Sequence, residues 1–271
     1  MDPDARTPLS LAYSPCPNDA FIFTPWVEGY VAGAPPVRER FEDIDTLNKI
    51  ALRGEPDVVK VSFHALGHLR DRYYLLRSGG ALGRGCGPLV VARTPFERHE
   101  LATKTVAIPG ALTTAALLVR LFAPELRDAN ITVMPFDKIM PAVCEGRVDA
   151  GVIIHESRFT YRDHGLVAVA DLGELWEART ALPVPLATIC ARDDLGHDLE
   201  IAAEAAIRAS VEHAFAHPAA SADYVAAHSQ ELSPEVCRQH IELYVNEFSI
   251  DVGDGGLAAI EALTEHAGAP V

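Results

Sequence analysis

Apolar positions along this chain alternate between two rhythms. Short continuous apolar runs mark buried strands, and segments with apolar residues three or four apart mark helices with one covered face. Residues 9–13 predict the first strand. Ser14-Pro-Cys-Pro-Asn-Asp19 follows as a stiff turn, with Asn18 or Asp19 placed to cap a helix from about Ala20 through Phe21, Phe23 and Val27. Residues 37–41 and 57–61 read as further strands. Between them a helix carries Leu47, Ile50, Ala51 and Leu52 on one face, with Asp45 as its expected cap and Gly54 as its end. Ser62 then stands just past a strand and at a helix start, the same kind of place as Asn18. Strands are also predicted at 88–92, 105–108, 131–134, 148–154, 166–171 and 186–191, and helices at 115–122, 139–144 and 173–179. From residue 199 the pattern is helical: 199–216, 218–227, 234–244 with Ser233 as cap and Pro234 at the first helical position, and 255–266.

Alternating strand and helix, twice over, with a helical tail, predicts an α/β protein of two domains with mostly parallel sheets. Candidate crossing strands near Val90 and Ile189 divide it into a larger discontinuous lobe, residues 1–92 plus 190–271, and a smaller one, residues 93–189. A ligand then belongs in a cleft between the lobes, at the carboxyl ends of strands from both. The loops at residues 14, 62 and 113 and the histidine at 155 are expected to face it.

Composition narrows the partners. No apolar run approaches the ~20 residues that span a membrane, and the polar start lacks the basic and apolar regions of a secretory signal. The expected location is cytoplasmic. A net charge of −15 argues against a nucleic-acid partner. It still permits a small anionic substrate in a locally positive pocket. The five cysteines show no zinc spacing and read as buried free thiols. Cys16, between two prolines, is the alternative as a nucleophile. The glycine-rich residues 78–87 lack the Lys-Ser/Thr ending of a phosphate loop and the context of a dinucleotide fingerprint. No metal and no organic cofactor are expected.

The strongest chemistry lies in Ala150-Gly-Val-Ile-Ile-His155-Glu-Ser-Arg-Phe-Thr-Tyr161. A buried strand that stops at a histidine and a carboxylate is how α/β proteins deliver catalytic groups to a crevice. His155 is therefore a candidate general base. The plainer alternative is a histidine that ends a strand and bonds a nearby carbonyl. Thr113 and Thr114 stand at the first turn of a helix, suited to an anion or simply to capping. Lys60 adds charge if it faces the cleft, and is otherwise a strand-end lysine in water. His213, His217, His228 and His240 read as solvent-facing helix residues.

Four stretches taken together, residues 14–23, 79–89, 110–114 and 153–161, resemble the 1,4-dihydroxy-6-naphthoate synthase family, enzymes of the futalosine route to menaquinone with a type-two periplasmic binding protein fold. The resemblance runs over nearly the whole chain, including Tyr244-Val-Asn-Glu-Phe-Ser-Ile-Asp-Val-Gly253. It implies a two-lobed fold and a lyase that takes cyclic dehypoxanthinyl futalosine to dihydroxynaphthoate. It maps the proton acceptor to His155 and substrate contacts to Lys60, Val61, Ser62, Thr113 and Thr114. Asn18, Asn48 and Glu156 are further candidate contacts or supports, and a monomer or homodimer is expected. One departure is Ala20, where the family has threonine. The alternatives are a chorismate dehydratase of the same pathway, a small-acid binding protein for a transporter, and a regulatory effector-binding domain.

Overall fold

The computed structural model describes residues 7–229 and 233–266; the polar start at residues 1–6 lies outside them. The chain divides into two compact units. The first contains residues up to 61, 68–81 and 187–253, and the second residues 62–67, 82–186 and those from 254 onward. No helix among the described residues is long and apolar enough to cross a membrane.

β1 (Leu9–Tyr13) leads through the proline turn into α1 (Pro17–Val27). The second proline opens this helix rather than preceding it, since Pro at the first helical position loses no hydrogen bond. Cys16 is therefore the N-cap residue, and Asn18 and Asp19 lie inside the first turn instead of capping it. β2 (Val37–Phe41) and α2 (Ile44–Leu52) follow. Asp43, not Asp45, caps α2, accepting from the Asp45 and Thr46 N–H groups at 3.0 Å each. β3 (Val58–Ser62) is buried throughout and runs into the single turn α3 (Phe63–Leu66). The short strands β4 (Tyr73–Leu75) and β5 (Ala81–Gly83) are absent from the sequence reading; β5 lies within the glycine-rich residues 78–87.

Next come β6 (Leu89–Ala92), β7 (Val106–Ile108), α4 (Thr114–Phe122), β8 (Ile131–Val133) and α5 (Phe136–Cys144). β9 (Ala150–Ile153), α6 (Ser157–Thr160), β10 (Val167–Asp171), α7 (Leu172–Thr180) and β11 (Val184–Arg192) follow. The chain finishes with α8 (His197–Ala216), α9 (Ala222–His228), α10 (Pro234–Tyr244), α11 (Glu247–Ile250) and α12 (Gly253–His266).

One sheet has the order β2-β1-β3-β11-β4, with β5 also on β11. β1 runs parallel to β2 and β3, and β4 runs against β11. Leu11, Tyr13, Phe23, Trp26, Ile207 and Val211 belong to the first unit's core. α1 is buried from Pro17 to Trp26, so it shows no polar stripe. Pro25 inside it cannot donate to the Phe21 carbonyl. The Ser221 hydroxyl donates there at 3.2 Å. Ser210 Oγ donates to the Ile22 carbonyl at 2.6 Å and accepts from the Trp26 N–H at 3.0 Å. α8 and the turn before α9 thereby fix the helix that carries Asn18 and Asp19.

The other sheet, in the second unit, has the order β10-β6-β9-β7-β8. β6 runs against both β9 and β10, while β7 is parallel to β8 and β9. Both sheets are thus mixed rather than mostly parallel. The pairing of β6 also puts it in the second unit, so the division falls at residue 82 where the expected lobe boundary is 92. Residues 62–67 and the last helix belong to the second unit as well.

His240, expected in solvent, is 1% exposed on α10, its ring 4.5 Å from that of Tyr244. Of the five cysteines, Cys144 is exposed and the other four are buried, and burial pushes the Cys86 thiol up to about 12.

Candidate active site

In the first unit two of the predicted residues, Asn18 and Lys60, meet on one carboxylate. Asp19, in the first turn of α1, is 0% exposed. Its Oδ2 accepts from the Ser14 hydroxyl at 2.6 Å and from the Ser14 N–H at 3.3 Å. Its Oδ1 accepts from Asn18 Nδ2 at 2.9 Å and from the Lys60 ammonium. Lys60 is 4% exposed, so it is not a strand-end lysine in water. A buried ammonium needs a paired and hydrogen-bonded partner, and Asp19 is that partner. Val61, 0% exposed in β3, has no polar side chain to offer. Asn48 is fully buried on α2.

In the second unit, Ser62, Thr113 and Thr114 are brought toward one joint. Ser62 is the N-cap residue of α3, and Thr113 that of α4. Thr113 Oγ1 donates to the Gly110 carbonyl at 2.8 Å and accepts from the Ala116 N–H at 3.2 Å, so this threonine does the capping. Thr114 Oγ1 donates to the Leu186 carbonyl at 2.8 Å. His64 ties the two helix starts together. Its N–H donates to Thr114 Oγ1 at 3.4 Å, and its Nδ1 lies 3.2 Å from the Thr113 carbonyl. A carbonyl only accepts, so Nδ1 carries the proton in this contact.

His155 follows β9. The strand stops at Ile153, and His155 and Glu156 sit in the turn beyond it, so alternation across a strand does not decide which way either points. His155 has a φ of 55°, one of two non-glycine residues in the left-handed region among those described. For a side chain with a Cβ that conformation costs about 1 kcal/mol, and it persists where surrounding structure imposes it. The Phe136 ring meets the imidazole edge-on, centroids 5.0 Å apart at 64°. Arg158 anchors the turn from behind. Its guanidinium donates to the Gly87 carbonyl at 2.7 Å and to Asp171 Oδ2 at 2.6 Å. Asp171 Oδ1 in turn caps α7, accepting from the Gly173 and Glu174 N–H groups at 2.9 and 3.1 Å.

Sequence reasoning did not single out His64, Ser14, Arg158 or Asp171, and it gave Asp19 only a capping role. An acid beside a proline turn and an arginine three residues after the histidine were the available signals. Their partners lie far along the chain, 41 residues away in the case of Asp19 and Lys60.

Comparison with known proteins bears on what these groups do. Two curated relatives, each named 1,4-dihydroxy-6-naphtoate synthase, come from Streptomyces coelicolor and Thermus thermophilus. The first is 50% identical over 264 residues, covering 96% of this chain and 93% of the relative. The second is 51% identical over 255 residues, covering 94% and 92%. A solved Candida albicans protein, described as having the generic periplasmic binding protein fold, matches with a TM-score of 0.70. It is 12% identical and covers 98% of this chain and 92% of that one, a likeness of fold alone. The family model described as menaquinone biosynthesis matches residues 9–269, and the chain belongs to that family.

Proposed function

We propose that this protein is a 1,4-dihydroxy-6-naphthoate synthase, a lyase that acts on cyclic dehypoxanthinyl futalosine. The observation that carries the reading is the identity of about half the residues, over nearly the full length, with two relatives bearing that name. In this reading His155 is the proton acceptor. A neutral imidazole takes a proton from the carbon framework, the sugar-derived fragment leaves, and the product ring gains aromatic stabilisation. General base catalysis of this kind supplies about 10²–10⁴-fold in rate. The backbone outlier at His155 supports the assignment, because strain of this sort clusters at functional positions.

Substrate binding is proposed for Lys60, Val61, Ser62, Thr113 and Thr114, with Asn18 and Asn48 as further contacts. The start of α4, held by Thr113 and His64, suits a carboxylate because backbone N–H groups and the helix dipole favour negative charge there. A cytoplasmic location belongs to the same proposal. The test is to incubate the purified protein separately with cyclic dehypoxanthinyl futalosine, following naphthoate absorbance, and with chorismate, following loss of chorismate. Turnover of the first alone supports the reading. Turnover of chorismate alone makes the protein a dehydratase, and binding without turnover of either makes it a binding protein.

A further inference from the structure

We infer that Asp19 is a positioning residue for substrate binding: it holds the Lys60 ammonium and the Asn18 amide in the orientations in which they meet a ligand carrying both a carboxylate and a hydroxyl. The inference rests on the synthase reading and extends it to a residue which that reading leaves without a role. Asp19 is completely buried, yet four donors from three side chains and one backbone group converge on it. Two of those donors belong to the residues proposed to touch substrate.

The chemistry of each pair fixes what is left over. An ionised carboxylate only accepts. Asn18 therefore turns its Nδ2 toward Asp19 and its Oδ1 the other way, as an acceptor for a hydroxyl. An ammonium carries three donors, and Asp19 Oδ1 takes one, which sets the direction of the remaining two. The Ser14 hydroxyl, 2.6 Å from Oδ2, and the Ser14 N–H lock the carboxylate itself against rotation. Ser14 and Asp19 flank the stiff Pro-Cys-Pro turn, so this lock has little freedom to lose. The array is organised before a ligand arrives, and the cost of ordering the Lys60 and Asn18 side chains is met in folding rather than in binding.

The test is a comparison of KM and kcat for cyclic dehypoxanthinyl futalosine among wild type, Asp19→Asn and Ser14→Ala. Asp19→Asn keeps the shape, removes the charge and puts an amide donor where an acceptor stood. KM is expected to rise roughly 10- to 100-fold, the effect of losing a charge-assisted hydrogen bond, with kcat less affected. Ser14→Ala leaves the charge in place and frees the carboxylate to rotate. Its KM is expected to rise about 3- to 10-fold with the melting temperature lower by only a few degrees, since the Ser14 N–H still reaches the carboxylate, which keeps the question answerable should Asp19→Asn fail to fold. A purely structural Asp19 lowers the folded fraction, and with it apparent kcat, but leaves KM where it was. Unchanged KM in folded Ser14→Ala and Asp19→Asn proteins overturns the inference and leaves the synthase reading intact. Absence of wild-type turnover overturns that reading and the inference with it.

Discussion

Replacing His155 by glycine and by alanine separates backbone strain from chemistry. Both substitutions delete the imidazole and its edge-on contact with Phe136. An aromatic pair of that geometry is worth about 0.5–1.5 kcal/mol. They differ at the backbone, where φ is 55°. Alanine retains the left-handed penalty of about 1–2 kcal/mol, and glycine does not. Glycine gives back about 0.4–1 kcal/mol through the greater freedom of its unfolded chain. The glycine variant is therefore expected to be the more stable by about 0.5–1 kcal/mol, and close to wild type. For a chain of this size that is a difference in Tm of about 1–4 °C. Thermal melts followed by circular dichroism read it directly. An alanine variant that melts at or above the glycine variant refutes the claim that the surrounding turn imposes strain on His155. Both variants are expected to lose turnover alike, since neither carries a base.

Gly87→Ala drives a Cβ to 2.3 Å from the Gly173 Cα, a backbone atom that cannot swing aside, so a loss of about 1–3 kcal/mol is expected. Gly85→Ala in the same loop meets nothing within 4 Å and pays only its positive φ of 67°, about 1 kcal/mol; melts that reverse this order contradict the packing. Asp43→Ala removes the cap of α2 and is expected to cost about 1–2 kcal/mol in denaturant unfolding. Asp45→Ala loses its pair with Lys49 and a favourable charge in the first turn of α2, together about 0.5–1 kcal/mol. Asp251 accepts from Arg77, from the Gly253 N–H and from Arg208, and these bonds hold its carboxyl well below the usual range. Stability from this group is present above the unfolded-state value and is lost as pH falls through the lowered folded one. Asp251→Asn is therefore expected to be destabilised at pH 7, with the gap from wild type closing below about pH 4; a gap that widens in acid contradicts the sign.

Residues whose role follows from their own neighbourhood were legible in the chain. The apolar run before His155 announced a buried strand with a histidine at its end, and Thr113 and Ser233 announced helix starts that the structure shows as caps. Positions decided by distant partners were not. Lys60 looks like a surface lysine until Asp19 is brought beside it from 41 residues away. Asp43 and Asp45 are equally good caps by type, and only the chain direction leaving β2 selects the first. His240 shares its helical spacing with exposed neighbours and is buried because that face of α10 packs inward. The left-handed turn at His155 has no glycine or asparagine to signal it. Arg158, three residues on, bonds Gly87 and Asp171, and no local pattern encodes those contacts either.

The measurement that bears hardest on His155 is steady-state turnover of cyclic dehypoxanthinyl futalosine by wild type and His155→Ala, each first shown to be folded. Wild-type formation of dihydroxynaphthoate, with kcat/KM lower by about 10²–10⁴-fold in the variant, is the result predicted for a general base. A folded His155→Ala protein that turns over within a few-fold of wild type contradicts that role and leaves the histidine as a structural residue of the turn after β9.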